Sequence, residues 1–175
     1  MMNRLLTFLA FFTLSFCSIA GQSGYAVDYL RGEGSVNGLK VAYQYHLGNP
    51  LPNDWPIEIT LESSVNFWEY GSPNEYDTNF VLAISPIIRM PLTQWGDYPI
   101  EGEFGIGLAL LDDTEFAGKD VSTHYQFEDR LGIGTYWGKN KEYRLALRYI
   151  HYSNAGFKKP NPGLDFLSLS FSQRL

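Results

Sequence analysis

Hydrophobic and polar positions alternate along most of the chain, which is the period of a strand whose side chains point to opposite sides. Ile57, Ile59, Leu61, Val65 and Phe67 stand against Glu58, Thr60, Glu62, Ser64 and Asn66, with Ser63 the one polar residue on the apolar side. Ile100, Phe104, Ile106, Leu108 and Leu110 stand against Glu101, Glu103, Gly105, Gly107 and Ala109. Extended along the chain, the pattern predicts strands over 25–31, 39–47, 57–68, 80–90, 100–111, 126–137, 144–154 and 165–175. Pro86 lies inside the fourth, where it has no N–H to give a ladder, and predicts a bulge.

The polar parity collects Lys40, Glu58, Glu62, Arg89, Glu101, Glu103, Glu128, Arg130, Arg144 and Arg148, a mixture of both signs that predicts mutual pairing. Two all-β architectures accommodate it: a soluble lipocalin-like barrel with the oily face inside, or a membrane barrel with that face toward lipid. Strand length favours the second, since many segments approach the roughly 9 to 11 residues of a tilted membrane strand. Tyr45, Trp55, Phe67, Trp95, Tyr98, Trp137 and Tyr149 fall near strand ends, as an aromatic girdle would. The expectation is an eight-stranded antiparallel transmembrane β-barrel of the outer membrane. Against it, the chain ends in Gln173 and Leu175, where many such barrels have a terminal aromatic.

The first twenty residues change the compartment. Arg4, an apolar run from Leu5 to Phe16 and the small residues Ser18 and Ala20 read as a signal peptide over 1–20, leaving 21–175 as one barrel domain. A lipoprotein site at Cys17 is the alternative, disfavoured by the bulk of Phe16. Cleavage after Ala20 removes the one cysteine, so no disulfide is available. It leaves 12 basic against 19 acidic residues, a net of −7 with no basic tract, which excludes a nucleic-acid partner.

The seventh strand raises the chemical question. His151 and Ser153 share parity with Leu145, Leu147 and Tyr149 and so project from the oily face. Residues two apart on a strand are about 6.6–6.8 Å apart at the backbone, within reach of an imidazole leaning toward a hydroxyl. Asp165 shares parity with Leu167, Leu169 and Phe171 and would meet His151 across the hairpin. The bland reading is a set of ordinary polar residues at a barrel rim, with Asn154 and Asn161 forming the turn. The sharper one is a serine nucleophile, its base and an orienting acid, with the asparagines as oxyanion donors. Lys158 and Lys159 read as solvated loop charges or as phosphate contacts. His46 and His124 have no histidine or cysteine partner at metal-ligand spacing, and the glycines of "GEFGIG" lack a phosphate loop's strand-turn-helix setting.

The stretch "HYSNAGFKKPNPG", with an acid two residues later, resembles the outer-membrane lipid A 3-O-deacylase (PagL) family, as does "YQFEDRLGIG". The resemblance implies an esterase of the outer membrane whose partner is lipid A, or lipopolysaccharide, in the outer leaflet, without metal or organic cofactor. It assigns His151 as base and Ser153 as nucleophile. The acid position falls on Asp165, where the family has glutamate, one methylene longer. Asn161 and the backbone of Asn154, Ala155 and Gly156 match its oxyanion region. A non-enzymatic barrel with an inactive triad stands as the alternative.

Overall fold

A computed structural model of the protein describes residues 22–49, 56–72 and 75–175. The predicted signal peptide and Trp55 lie outside these residues. Ten strands follow one another: β1 (Gln22–Gly32), β2 (Asn37–Gly48), β3 (Glu58–Ser72), β4 (Glu75–Trp95), β5 (Tyr98–Leu111), β6 (Glu115–Phe116), β7 (Lys119–Asp120), β8 (Tyr125–Trp137), β9 (Tyr143–Ser153) and β10 (Leu164–Arg174). Eight of them close into a barrel in the order β1-β10-β9-β8-β5-β4-β3-β2, every neighbour antiparallel. β6 and β7 form a separate two-stranded hairpin within the β5–β8 connection.

The barrel is inside-out. Tyr29, Leu61, Phe104, Leu131, Leu147, Leu167 and their parity mates are exposed, whereas Asp28, Lys40, Glu62, Arg89, Glu103, Glu128, Arg130, Arg144 and Arg148 are buried in the lumen. That polarity is the one a bilayer requires, because lipid solvates the aliphatic face and the closed ladder leaves no strand edge unpaired.

The mixed charges pair as their parity predicts. Arg130 bonds Glu62 and Glu128 at 2.7 Å, and Lys40 lies 3.1 and 3.2 Å from the same two acids. Arg148 bridges Asp28 at 2.7 Å and Glu103 at 2.5 Å, and Arg144 reaches Glu103 at 2.7 Å. Such a network costs desolvation, and removing one member would strand its partner. Lumen glycines make room for it: a Cβ on Gly134 would lie 2.5 Å from the Arg144 guanidinium, and one on Gly107 would lie 1.9 Å from Ser85 Oγ.

Toward the end that carries the β1–β2, β5–β8 and β9–β10 connections, the lumen turns apolar. Trp68 packs against Phe116, Tyr152 and Phe166 with ring centroids 5.9, 4.8 and 4.6 Å away. The β6–β7 hairpin supplies Phe116 and thereby folds into the barrel mouth.

Two sequence expectations change. β4 runs past Met90 to Trp95, and no bulge forms at Pro86. The β4–β5 register is the same on both sides of Pro86, with only the ladder interrupted, and the shift falls between Pro91 and Thr93. Pro86 therefore costs ladder bonds without adding a residue. The second proline, near the strand end, stands where a register slip disturbs fewer pairs.

Candidate active site

β9 is fixed on both sides, by β8 and β10, so its side-chain directions are not free to slip. The register sets His151 opposite Asp165 on β10 and opposite Asp129 on β8, a row of three outward positions with an acid on either flank. Only one acid engages the ring. His151 Nδ1 lies 2.7 Å from Asp165 Oδ1, and the phenol hydroxyl of Tyr149 donates to that same oxygen. With Nδ1 committed to the carboxylate, the tautomer that carries its proton there leaves Nε2 as the basic nitrogen.

Ser153 ends β9, opposite Phe127. It is 9% exposed, against about a third for the His151 side chain, so the serine is the more buried of the two. No hydrogen bond joins Ser153 Oγ to the imidazole among the described residues. Catalytic hydrogen bonds commonly tighten only once substrate is present.

The loop after β9 is organised by Asn154, which is fully buried. Its Nδ2 donates to the carbonyls of Val121 and Lys158 at 3.2 and 3.0 Å, and its Oδ1 accepts the Gly156 amide at 2.9 Å. Its own amide donates to Asn161 Oδ1 at 3.1 Å. Of the three backbone amides placed in the oxyanion region by resemblance, those of Asn154 and Gly156 are thus engaged within the loop. The Ala155 amide has no acceptor among the described residues. Ala155 has φ 53° and Gly156 φ 77°, a left-handed pair that turns the chain sharply beside the serine.

Gly163, at the other end of the loop, is the neighbour on which the ring depends for space. Its φ is 71°, and a Cβ there would lie 2.5 Å from His151 Cε1. Its carbonyl accepts from Lys119 Nζ at 3.1 Å, and Lys119 also pairs with Glu33, which ties the β1–β2 turn and the β6–β7 hairpin to the site. Lys158 is not free either, since its ammonium donates to the Ser122 carbonyl at 2.9 Å.

The structure therefore brings together His151 and Asp165, sets Ser153 on the same strand and parity, and wraps Asn154, Ala155, Gly156 and Asn161 into one loop beside them. Sequence reading missed Tyr149 as a partner of the acid, although its outward parity and its diagonal position to Asp165 were both legible. It also missed the anchoring of the loop by Val121 and Ser122, which no periodicity signals.

The chain is similar to known proteins in sequence and in fold. Residues 37–174 match the family described as lipid A 3-O-deacylase (PagL). The lipid A deacylase PagL of Bordetella bronchiseptica is 31% identical over 116 residues, which span 66% of this chain and 62% of that protein. Its namesake from Pseudomonas aeruginosa is 27% identical over 97% of this chain and 98% of its own length. The crystal structure of the outer membrane enzyme PagL superposes with a TM-score of 0.73 at 22% identity, covering 86% of this chain and 98% of that one, a likeness of fold.

Proposed function

The chain belongs to the lipid A 3-O-deacylase (PagL) family, and from that premise we propose that it hydrolyses the 3-O-linked acyl ester of lipid A with a Ser153–His151–Asp165 triad on the lipid-facing side of the barrel. The observation that carries the reading is the 2.7 Å contact between His151 Nδ1 and Asp165 Oδ1, with a serine two residues further on the same outward parity. The carboxylate on Nδ1 fixes the orientation of the imidazole, and a general base beside a hydroxyl activates a nucleophile.

Ser153 Oγ attacks the acyl carbonyl as His151 Nε2 takes its proton, and Asp165 holds the imidazolium that results. The oxygen of the tetrahedral adduct becomes negative and meets backbone N–H groups of the 154–156 turn, of which the Ala155 amide is the unengaged one. Collapse breaks the bond to the sugar oxygen, which leaves with the proton from His151. Water, deprotonated by the same nitrogen, then attacks the acyl-enzyme, and the free fatty acid departs as Ser153 regains its proton. The scheme uses no metal or organic cofactor.

A substrate anchored in a bilayer reaches an enzyme only from the side. In this reading the loop end faces the cell exterior, the triad lies at the outer leaflet, and the acyl chain runs along Leu147, Leu167 and their neighbours. Polar residues are inexpensive at that height, where a barrel surface leaves the hydrocarbon. Residues 1–20 act as the signal peptide and 21–175 as the single barrel domain.

Mass spectrometry of lipid A from cells expressing the chain tests the proposal. The wild-type protein should remove one 3-hydroxyacyl group, and Ser153→Ala, recovered as a folded barrel, should not. Equal deacylation by both proteins would sink the serine mechanism, and no deacylation by either would favour a non-enzymatic barrel.

A further inference from the structure

Asp165 is the short member of the site. A carboxylate on a single methylene, held by one hydrogen bond to an imidazole, can still rotate about its Cβ–Cγ bond and present either oxygen. On the lipid-facing side few donors are at hand to stop it: the Lys119 ammonium is given to Glu33 and the Gly163 carbonyl. Tyr149 is the exception. It precedes His151 by two residues on β9, points outward, and pairs across with Leu167, one outward position from Asp165. That diagonal spans about 7–8 Å between backbones, a distance a phenol covers. Its hydroxyl meets Asp165 Oδ1, the oxygen that His151 also uses.

We propose that Tyr149 is a positioning residue of the triad, its hydroxyl pinning the Asp165 carboxylate so that one oxygen stays on His151 Nδ1. Two donors converging on one oxygen fix the carboxylate's rotation as well as its location. The imidazole then keeps its proton on Nδ1 and its lone pair on Nε2. The phenol supplies by hydrogen bonding the constraint that a longer acidic side chain would obtain from packing. Tyr149 is half exposed to lipid and its ring also suits an interfacial belt, but a belt residue needs only the headgroups for its hydroxyl.

The inference rests on the triad reading and is tested with a cycle that separates the two. Fatty-acid release from purified lipopolysaccharide is measured for the full-length barrel in detergent, as parent, Tyr149→Phe, Asp165→Asn and the double variant, each checked for the heat-dependent gel shift of a folded barrel. Tyr149→Phe should lower kcat roughly tenfold, the scale of one charge-assisted hydrogen bond, with KM unchanged within about twofold. In the Asp165→Asn background the same change should cost nothing further, because the carboxylate it positions is gone. The low-field proton resonance of His151 Nδ1–H, a readout independent of turnover, should broaden in Tyr149→Phe. An unchanged kcat, a loss confined to KM, or an equal loss in both backgrounds would overturn the tyrosine's role. Full activity of Asp165→Asn would instead overturn the triad itself.

Discussion

Among the described residues two clusters bring histidine, carboxylate and hydroxyl residues together, and they differ in arrangement and in access. In the lumen, His46 Nδ1 lies 3.0 Å from both Glu58 Oε1 and Thr60 Oγ1. On the outer face, His151 Nδ1 takes Asp165 alone, and Ser153 stands further along the strand. In the first cluster a single ring nitrogen faces acid and alcohol together, so the ring cannot relay a proton between them. Arg174 binds Glu58 at 2.5 Å and Arg89 donates to Thr60 Oγ1 at 2.6 Å, which commits both partners to the interior network. In the second no arginine intrudes and the ring's other nitrogen is left for chemistry. A triad is thus defined by which nitrogen meets which group and by access, not by the residue types present.

The largest expected contrast lies between the two hydroxyls. Ser153→Ala should reduce fatty-acid release by about a thousandfold or more, the scale of losing a triad nucleophile, while Thr60→Ala should leave the rate within about twofold. A mass-spectrometric assay on lipopolysaccharide that found the reverse would break the comparison outright. The acids come next. Asp165→Asn should cost on the order of a hundredfold to ten-thousandfold in kcat with the folded gel band retained, whereas Glu58→Gln should spare the rate and lower the unfolding temperature.

The interior should respond in stability alone. Glu103→Gln leaves Arg148 and Arg144 without their shared acid, a loss of about 3–5 kcal/mol by analogy with other buried pairs. Thermal unfolding in detergent should shift downward while kcat per folded molecule stays unchanged. A fall in kcat as well would show that the lumen network controls the outer face, and Tyr152 offers the connection, since its hydroxyl binds Glu128 at 2.7 Å between His151 and Ser153 in the chain. The smallest effects are expected at the loop. Gly163→Ala places a methyl 2.5 Å from the imidazole at a left-handed φ and should lower kcat roughly tenfold, as sub-ångström misplacement does. Asn161→Ala, which removes the acceptor of the Asn154 amide, should cost a few-fold, read in the same assay.

The outer residues of this site were legible early because parity on a strand is a local property. His151, Ser153 and Asp165 fall on the face that the neighbouring leucines identify, and the register confirms that two of them are directly opposed. What parity left open was which acid the ring would choose. Asp129 and Asp165 both face His151, from β8 and β10, and the side chains in the folded barrel give the ring to Asp165. The contribution of Tyr149 was likewise hidden, since a tyrosine on a lipid-facing strand has an interfacial explanation that needs no partner.

Period-two alternation by itself determined the eight long strands and their division into a charged and an oily face, because both follow from where successive side chains must point, while the closed barrel decided that the oily face lies outside. It could not find β6 and β7, which are two residues each and carry no period, nor the plug that Phe116 makes with Trp68, Tyr152 and Phe166. Those, like the loop that Asn154 ties to Val121 and Lys158, depend on closure of the barrel. Closing the cylinder brings residues far apart in sequence to one rim, and only there does a hydroxyl, an imidazole or an amide acquire the partner that decides its task.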